Sequence, residues 1–167
     1  MSSSKPAGKP PEDDRAVSAL ARYVRHAVRS THEARAYLQR LDTSPERVTS
    51  AIRIGVARGD LNDAACARLW AEQWARQGYA WAMIRERLRA KGLDEAAVAA
   101  GARAIGAPES DAERARAWIH ARHPARADAQ EAPGRARLSR LLSARGFDSE
   151  LIEQVVNETA GHPAHER

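Results

Sequence analysis

The most constraining feature of this sequence is a segment that occurs twice. RLRAKGLDEAAV, residues 87–98, aligns without a gap to LLSARGFDSELI, residues 141–152. Leu88 falls on Leu142, Lys91 on Arg145, Gly92 on Gly146, Leu93 on Phe147, Asp94 on Asp148 and Val98 on Ile152, an offset of 54 residues. Each copy reads as the end of a helix, then a glycine suited to the left-handed turn after a C-terminus, then an aspartate that caps the next helix. A worn copy, LQRLDTSPERV at 38–48, lies 50 residues before the first. There Leu38 and Val48 keep the apolar positions and Ser44 the cap, while Asp42 stands where the glycine should be. Repeats at this period predict a helical array whose units bury their faces against one another.

Apolar periodicity fills in the remaining helices. Val17, Leu20, Ala21, Val24 and Val28 make one stripe of a first helix over 15–28. Thr31 caps a second, carrying Ala34, Tyr37, Leu38 and Leu41. Ser44-Pro45 opens a third, since proline fits the first helical position; it presents Val48, Ala51, Ile52, Gly55 and Val56 and ends at Gly59. In the second module Asn62 or Asp63 caps a helix to Gln77 that buries Cys66, Ala67, Trp70, Ala71 and Trp74. A Gly-Tyr turn leads to a helix on Trp81, Ile84 and Leu88, and a further helix runs on Val98, Gly101, Ala102 and Ile105. In the third, Ser110 and Glu113 have capping-box spacing ahead of Ala115, Trp118 and Ile119. Residues 124–134 read as a loop, Leu138, Leu141 and Leu142 as a short helix, and Leu151, Ile152, Val155 and Val156 as the last. The predicted fold is all-α: three tandem three-helix modules at 15–59, 60–106 and 107–160, stacked into an elongated, curved, right-handed-type repeat array. A disordered segment at 1–14 and a polar tail at 161–167 flank them.

Several function classes are excluded on this reading. Aromatic residues make up 5% of the chain, which disfavours a β-sandwich, and no apolar run is long enough to span a bilayer. The polar N-terminus lacks the apolar stretch of a secretory signal, and a single cysteine forms no intramolecular disulfide framework, so a cytoplasmic protein is expected. Cys66 reads as a small core residue. His120, His123, His162 and His165 have no carboxylate or cysteine to complete a metal set. With no Walker loop, dinucleotide turn or nucleophile elbow, no enzyme and no cofactor are expected. A formal charge of +5 and a pI near 10 point instead to polyanions or acidic protein surfaces as partners.

The second module carries a resemblance. Gly59-x-Leu61-Asn62-Asp63, then Gly78-Tyr79, Ile84, Leu88 and Lys91-Gly92, resembles the central repeat of the RecX family, bacterial regulators of the RecA recombinase. Arg145-Gly146-Phe147 followed by Ile152 resembles that family's third repeat, and together the match spans roughly 60–157. The resemblance implies three basic three-helix repeats lodged in the groove of the RecA filament, where they restrain strand exchange, ATP hydrolysis and co-protease activity in DNA repair and the SOS response. The chain departs from the family at Cys66, where a large aromatic is usual, at Ala80-Trp81, which replaces Gly-Pro, and in its first module, which lacks the Lys-Gly turn.

Charge patterning adds a surface. The middle helix of module two carries Arg85, Arg87, Arg89 and Lys91 against Glu86, a net +3, and that of module three carries Arg135, Arg137, Arg140 and Arg145, a net +4. The last helix, with Asp148, Glu150, Glu153 and Glu158, is acidic. Stacked repeats line the middle helices up as a basic strip. Arg76, Tyr79, Arg85, Arg89, Lys91, Arg135, Arg137, Arg140 and Arg145 are the expected partner-binding residues of a monomeric protein. Burial is expected for Trp70, Trp74 and Trp118, and partial exposure for Trp81. The plain alternative for the arginines is a solvated helix face. The second functional reading is a basic helical protein that contacts single- or double-stranded DNA phosphates directly.

Overall fold

The structure, a computed structural model, describes residues 12–122 and 132–161. Among them run nine helices and no strand: α1 (Glu12–Val24), α2 (Thr31–Gln39), α3 (Pro45–Arg58), α4 (Asp63–Arg76), α5 (Trp81–Ala90), α6 (Glu95–Ala104), α7 (Asp111–Arg122), α8 (Ala132–Ser143) and α9 (Ser149–Gly161). Residues 1–11 of the predicted N-terminal segment, 162–167 of the tail, His123 and 124–131 of the predicted loop lie outside the described residues. The helix edges differ from expectation at two places. α1 begins at Glu12 and ends at Val24, leaving Val28 43% exposed. α8 begins at Ala132 inside the predicted loop, with Pro133 in its first turn, where a fixed φ and a missing N–H cost nothing.

Three apolar cores follow the three triads. Ala16, Leu20, Ala34, Leu38, Val48, Ala51 and Leu61 fill the first, Ile84, Leu88, Leu93, Ala97 and Val98 the second, and Ala115, Trp118, Ile119, Leu138, Leu142, Val155 and Val156 the third. The repeat explains the placement: Leu38, Leu88 and Leu142, which align in the sequence, are all fully buried. α1 packs on α2 and α3, α5 on α6, and α9 on α7 and α8. Val56 and Leu41, expected inside, stand about half exposed. The reason at Val56 is its neighbour: a Cβ at Gly55 would lie 2.8 Å from Leu20 Cδ2, so α3 meets its core on the glycine and turns Val56 outward. The chain divides into two compact units, Met1–Cys66 and Ala67–Arg167.

The turns obey the repeat. Gly92 (φ +74°) and Gly146 (φ +84°) take the left-handed conformation, and in the worn copy Asp42 does the same at φ +52°. Behind each glycine the next N–H reaches back to the helix, Leu93 to the Leu88 carbonyl and Phe147 to the Leu142 carbonyl. Asp94 caps α6 by accepting from the Ala97 N–H at 2.8 Å. At α2 the cap is Ser30 rather than Thr31, in a capping box with Glu33. Thr31, the first helical residue, instead donates its N–H and hydroxyl to the Asp63 carboxylate at 2.8 and 2.6 Å. The same device recurs one repeat later, where the Trp81 N–H donates to both carboxylate oxygens of Asp111 at 3.0 and 3.1 Å. In both cases an aspartate opening the first helix of one module satisfies the N-terminus of the middle helix of the module before it.

Candidate functional site

Helical spacing assembles the site. Trp70 and Trp74 are four residues apart on α4, and Arg87 on α5 stands four before Lys91 at its C-cap, so each pair lies on one side. The Lys91 ammonium lies 5.1 Å from the Trp70 ring centre, and the Arg87 guanidinium lies 5.6 Å from that of Trp74 and 3.8 Å from that of Tyr79. The row continues into module three. Arg145 stands 5.2 Å from the Tyr79 ring and 4.3 Å from the Trp118 ring, and Arg122 is 5.5 Å from Trp118. Cations and rings thus alternate from the end of α5, through the Tyr79 turn, to α7.

Backbone contacts hold the two modules together beneath this row. The Ala80 N–H donates to the Arg145 carbonyl at 3.0 Å, and an Arg145 guanidinium N–H donates to the Gln77 carbonyl at 3.2 Å. Gly78 (φ +81°) lets the turn close on the indole of Trp118: a Cβ there would sit 2.2 Å from its Cδ1. Gly146 does the same against the start of α5, since its Cβ would lie 2.8 Å from that of Met83. The turn after α8 therefore meets the first turn of α5.

Electrostatics separate this row from the other arginines. Among the described residues neither Arg87 nor Arg145 pairs with a carboxylate. The Tyr79 phenol is held below the usual tyrosine range by its hydrogen bond to Arg87, then by the Arg87 charge, with Arg145 adding to both. Arg85 and Arg89, expected to face a partner, are instead partly neutralised. Arg85 lies 3.7 Å from Glu86, and Arg89 pairs with Glu86 at 3.0 Å and forks onto both oxygens of Glu95. Arg76 pairs loosely with Glu72 at 3.8 Å. Arg135, Arg137 and Arg140 are exposed on α8. Arg135 and Arg140 border a groove of about 490 Å³ between α8 and α9, floored by Phe147, Ile152 and Val156, with Glu153 opposite.

Of the expected partner-binding residues the structure brings Tyr79, Lys91 and Arg145 into one row and leaves the others apart from it. Arg87 is the member that the basic-strip argument counted but did not single out. Its signal was present in the i,i+4 register with Lys91, matching Trp70 and Trp74 on α4. Trp118 is 5% exposed, and Trp70, Trp74 and Trp81 are half-buried against the second core.

The remaining candidates are quiet. The Cys66 thiol donates to the Arg29 carbonyl at 3.1 Å and is pushed up to about 11, chiefly by burial, with Asp63 and Glu33 adding. A thiol so protonated is a poor nucleophile. No group of three or more His, Cys, Asp or Glu side chains gathers among the described residues; His123, His162 and His165 lie outside them. Among those residues no helix is long and apolar enough to cross a membrane.

Known proteins agree with this picture at two levels. Residues 62–101 match the model of the RecX second three-helix domain. That span holds α4, α5 and most of α6. The crystal structure of RecX from Lactobacillus salivarius superposes with a TM-score of 0.75 at 15% identity, covering 89% of this chain and 96% of that one. A second crystal structure, of regulatory protein RecX, gives 0.71 at 20% identity, covering 87% of this chain and 72% of that one. No curated protein sequence matches the chain. The resemblance read from the repeat therefore rests on a matched segment and a shared architecture: residues 62–101 are similar to the RecX second three-helix domain, and the all-α fold is similar to that of the two RecX crystal structures.

Proposed function

We propose that this chain binds RecA nucleoprotein filaments in the cytoplasm and restrains their recombinase, ATPase and co-protease activities, without catalysing a reaction itself. The observation that carries the reading is the match of residues 62–101 to the RecX second three-helix domain, in a chain of which 89% superposes on a RecX crystal structure. The physical support is a repeat protein with cationic residues distributed over two modules. Such a surface engages a periodic partner through many modest contacts, so affinity accumulates across successive subunits. The exposed arginines of α8 and the row over Tyr79 are the contacts that this reading offers to an acidic filament surface. The test is the DNA-stimulated ATPase of RecA with increasing amounts of this protein. A saturating fall in ATP turnover is expected. Turnover unchanged at amounts well above those of RecA sinks the reading.

A further inference from the structure

We infer that the groove between α8 and α9 is a docking site for an acidic amphipathic helix of a partner protein. The inference concerns module three alone and does not rest on filament binding. Three observations carry it. The first is a comparison of the repeats. In module two the matching seam, between α5 and α6, is strapped across. Arg89, in the last turn of α5, donates to both carboxylate oxygens of Glu95, at the start of α6, at 2.9 and 3.2 Å. The 54-residue offset puts Ser143 where Arg89 stands and Ser149 where Glu95 stands. Both serines are exposed, and neither is long enough to cross the seam. Module three therefore has an open groove of about 490 Å³ where module two has a bridge.

The second is shape. Lining positions run along α8 from Arg135 to Ser143 and along α9 from Ser149 to Asn157. Each wall is thus about 12 Å long, a little over two helical turns. The floor is apolar, made by the outer edges of Phe147, Ile152 and Val156 of the third core. A trough of that length between two helices takes the side-chain ridge of a third, and its volume is that of a site for a bound group.

The third is charge. Arg135 and Arg140 stand on the α8 wall with no carboxylate partner among the described residues, and α8 has no acid of its own. Arg140 uses only its Nε–H, donated to the Ala136 carbonyl at 3.3 Å, so its terminal nitrogens remain for a partner. Glu153 faces them from α9 and pairs with no cation among the described residues. The groove is thus positive on one wall and negative on the other, over an apolar floor. An occupant fits when its apolar edge meets the floor, its carboxylates lie toward α8 and no acid lies toward α9. A phosphodiester chain suits this poorly: it brings no apolar edge, and its charge meets Glu153 as well as the arginines.

The experiment follows the fluorescence anisotropy of a labelled helical peptide titrated with the whole chain, without RecA. The peptide is about twelve residues long and stapled, because an isolated helix of that length is marginal in water. It carries leucines along one edge and glutamates on one flank. Saturable binding is expected, and a peptide with lysines in place of the glutamates should bind about tenfold more weakly or worse. Arg135→Gln with Arg140→Gln, both at exposed positions, should weaken the glutamate peptide by a similar factor. Ser143→Arg with Ser149→Glu rebuilds the strap of module two and should abolish binding. Those charges suit the last turn of one helix and the first of the next, so the melt of this variant should not fall. The inference is overturned by a wild type that does not bind the glutamate peptide, by equal binding of the lysine peptide, or by a strap variant that folds and binds in full. A wild-type dimer in sedimentation velocity that the strap variant dissolves would overturn it too, by giving the groove to a second copy. So would a single-stranded oligonucleotide that displaces the peptide from wild type and leaves the strap variant unbound, by giving it to nucleic acid.

Discussion

Gly78 and Gly146 do more than end helices. Each has φ above +80°, and each brings backbone so close to module-two or module-three side chains that a Cβ would overlap Trp118 or Met83. Gly146→Val should therefore cost about 2–4 kcal/mol, combining the left-handed penalty with overpacking. Gly101→Ala meets Leu88 Cδ1 at 3.1 Å and the Ala67 carbonyl at 3.2 Å with ordinary helical φ, and should cost less. Thermal melts of the two variants check the order, and equal midpoints would remove the argument from the turn. Leu142, fully buried in the third core, should lose about 2–5 kcal/mol on truncation to alanine. At Tyr79 the sign of the pH effect follows from its neighbours. Arginines favour the phenolate, so the phenol titrates below the usual tyrosine range, and Arg87→Gln should move it back up. Ultraviolet difference titration of the two proteins reads this directly. Tyr79 titrating identically in both would mean that Arg87 does not govern it.

At the scale of elements, the repeat made most of the fold legible. Leu38, Leu88 and Leu142 announced one buried position per module, and Asp94 announced a cap that forms as expected. Local rules reached that far because caps and faces are decided within a few residues. They did not reach contacts between modules. Asp63 and Asp111 read as ordinary helix starts, yet each binds the N-terminus of a helix about thirty residues earlier. Nor did they separate Arg87 from Arg85: both are arginines on α5, and only the packed neighbour tells them apart, Tyr79 for one and Glu86 for the other. The Asp111 tie makes a prediction. Its carboxylate serves the Trp81 N–H and the Arg114 guanidinium together, and the Arg114 side chain is 11% exposed. Asp111→Ala should cost about 1–2 kcal/mol, the upper part of the range for losing a helix cap. Urea unfolding measures it, and hydrogen exchange should show the loss concentrated in the first turn of α5. A loss spread evenly over α5 and α7 would speak against a local cap.

For the whole molecule, the question is which cations meet a filament and which only dress the surface. Arg137 and Arg140 are exposed on α8 with no carboxylate partner among the described residues, while Arg85 and Arg89 are drawn toward Glu86 and Glu95. Exposed ion pairs of that kind contribute little to stability, so charge reversal at all four positions should leave the melt nearly in place. Its effect on binding is of another size. Like charges across an interface are strongly disfavoured, and four reversals change the net charge by eight. If filaments take up this surface, the quadruple Arg→Glu variant should lose most of its co-sedimentation with RecA assembled on single-stranded DNA. The paired and unpaired arginines then separate by halves. Arg137→Glu with Arg140→Glu should account for more of the loss than Arg85→Glu with Arg89→Glu, because the second pair starts from charges already half offset. Raising salt should weaken the wild type toward the variant, as it does any contact made by exposed charges. Full co-sedimentation by a quadruple variant that folds would leave these arginines as a solvated face. The filament contact would then have to lie elsewhere, with the cations seated on Tyr79 and Trp118 the next surface to reverse.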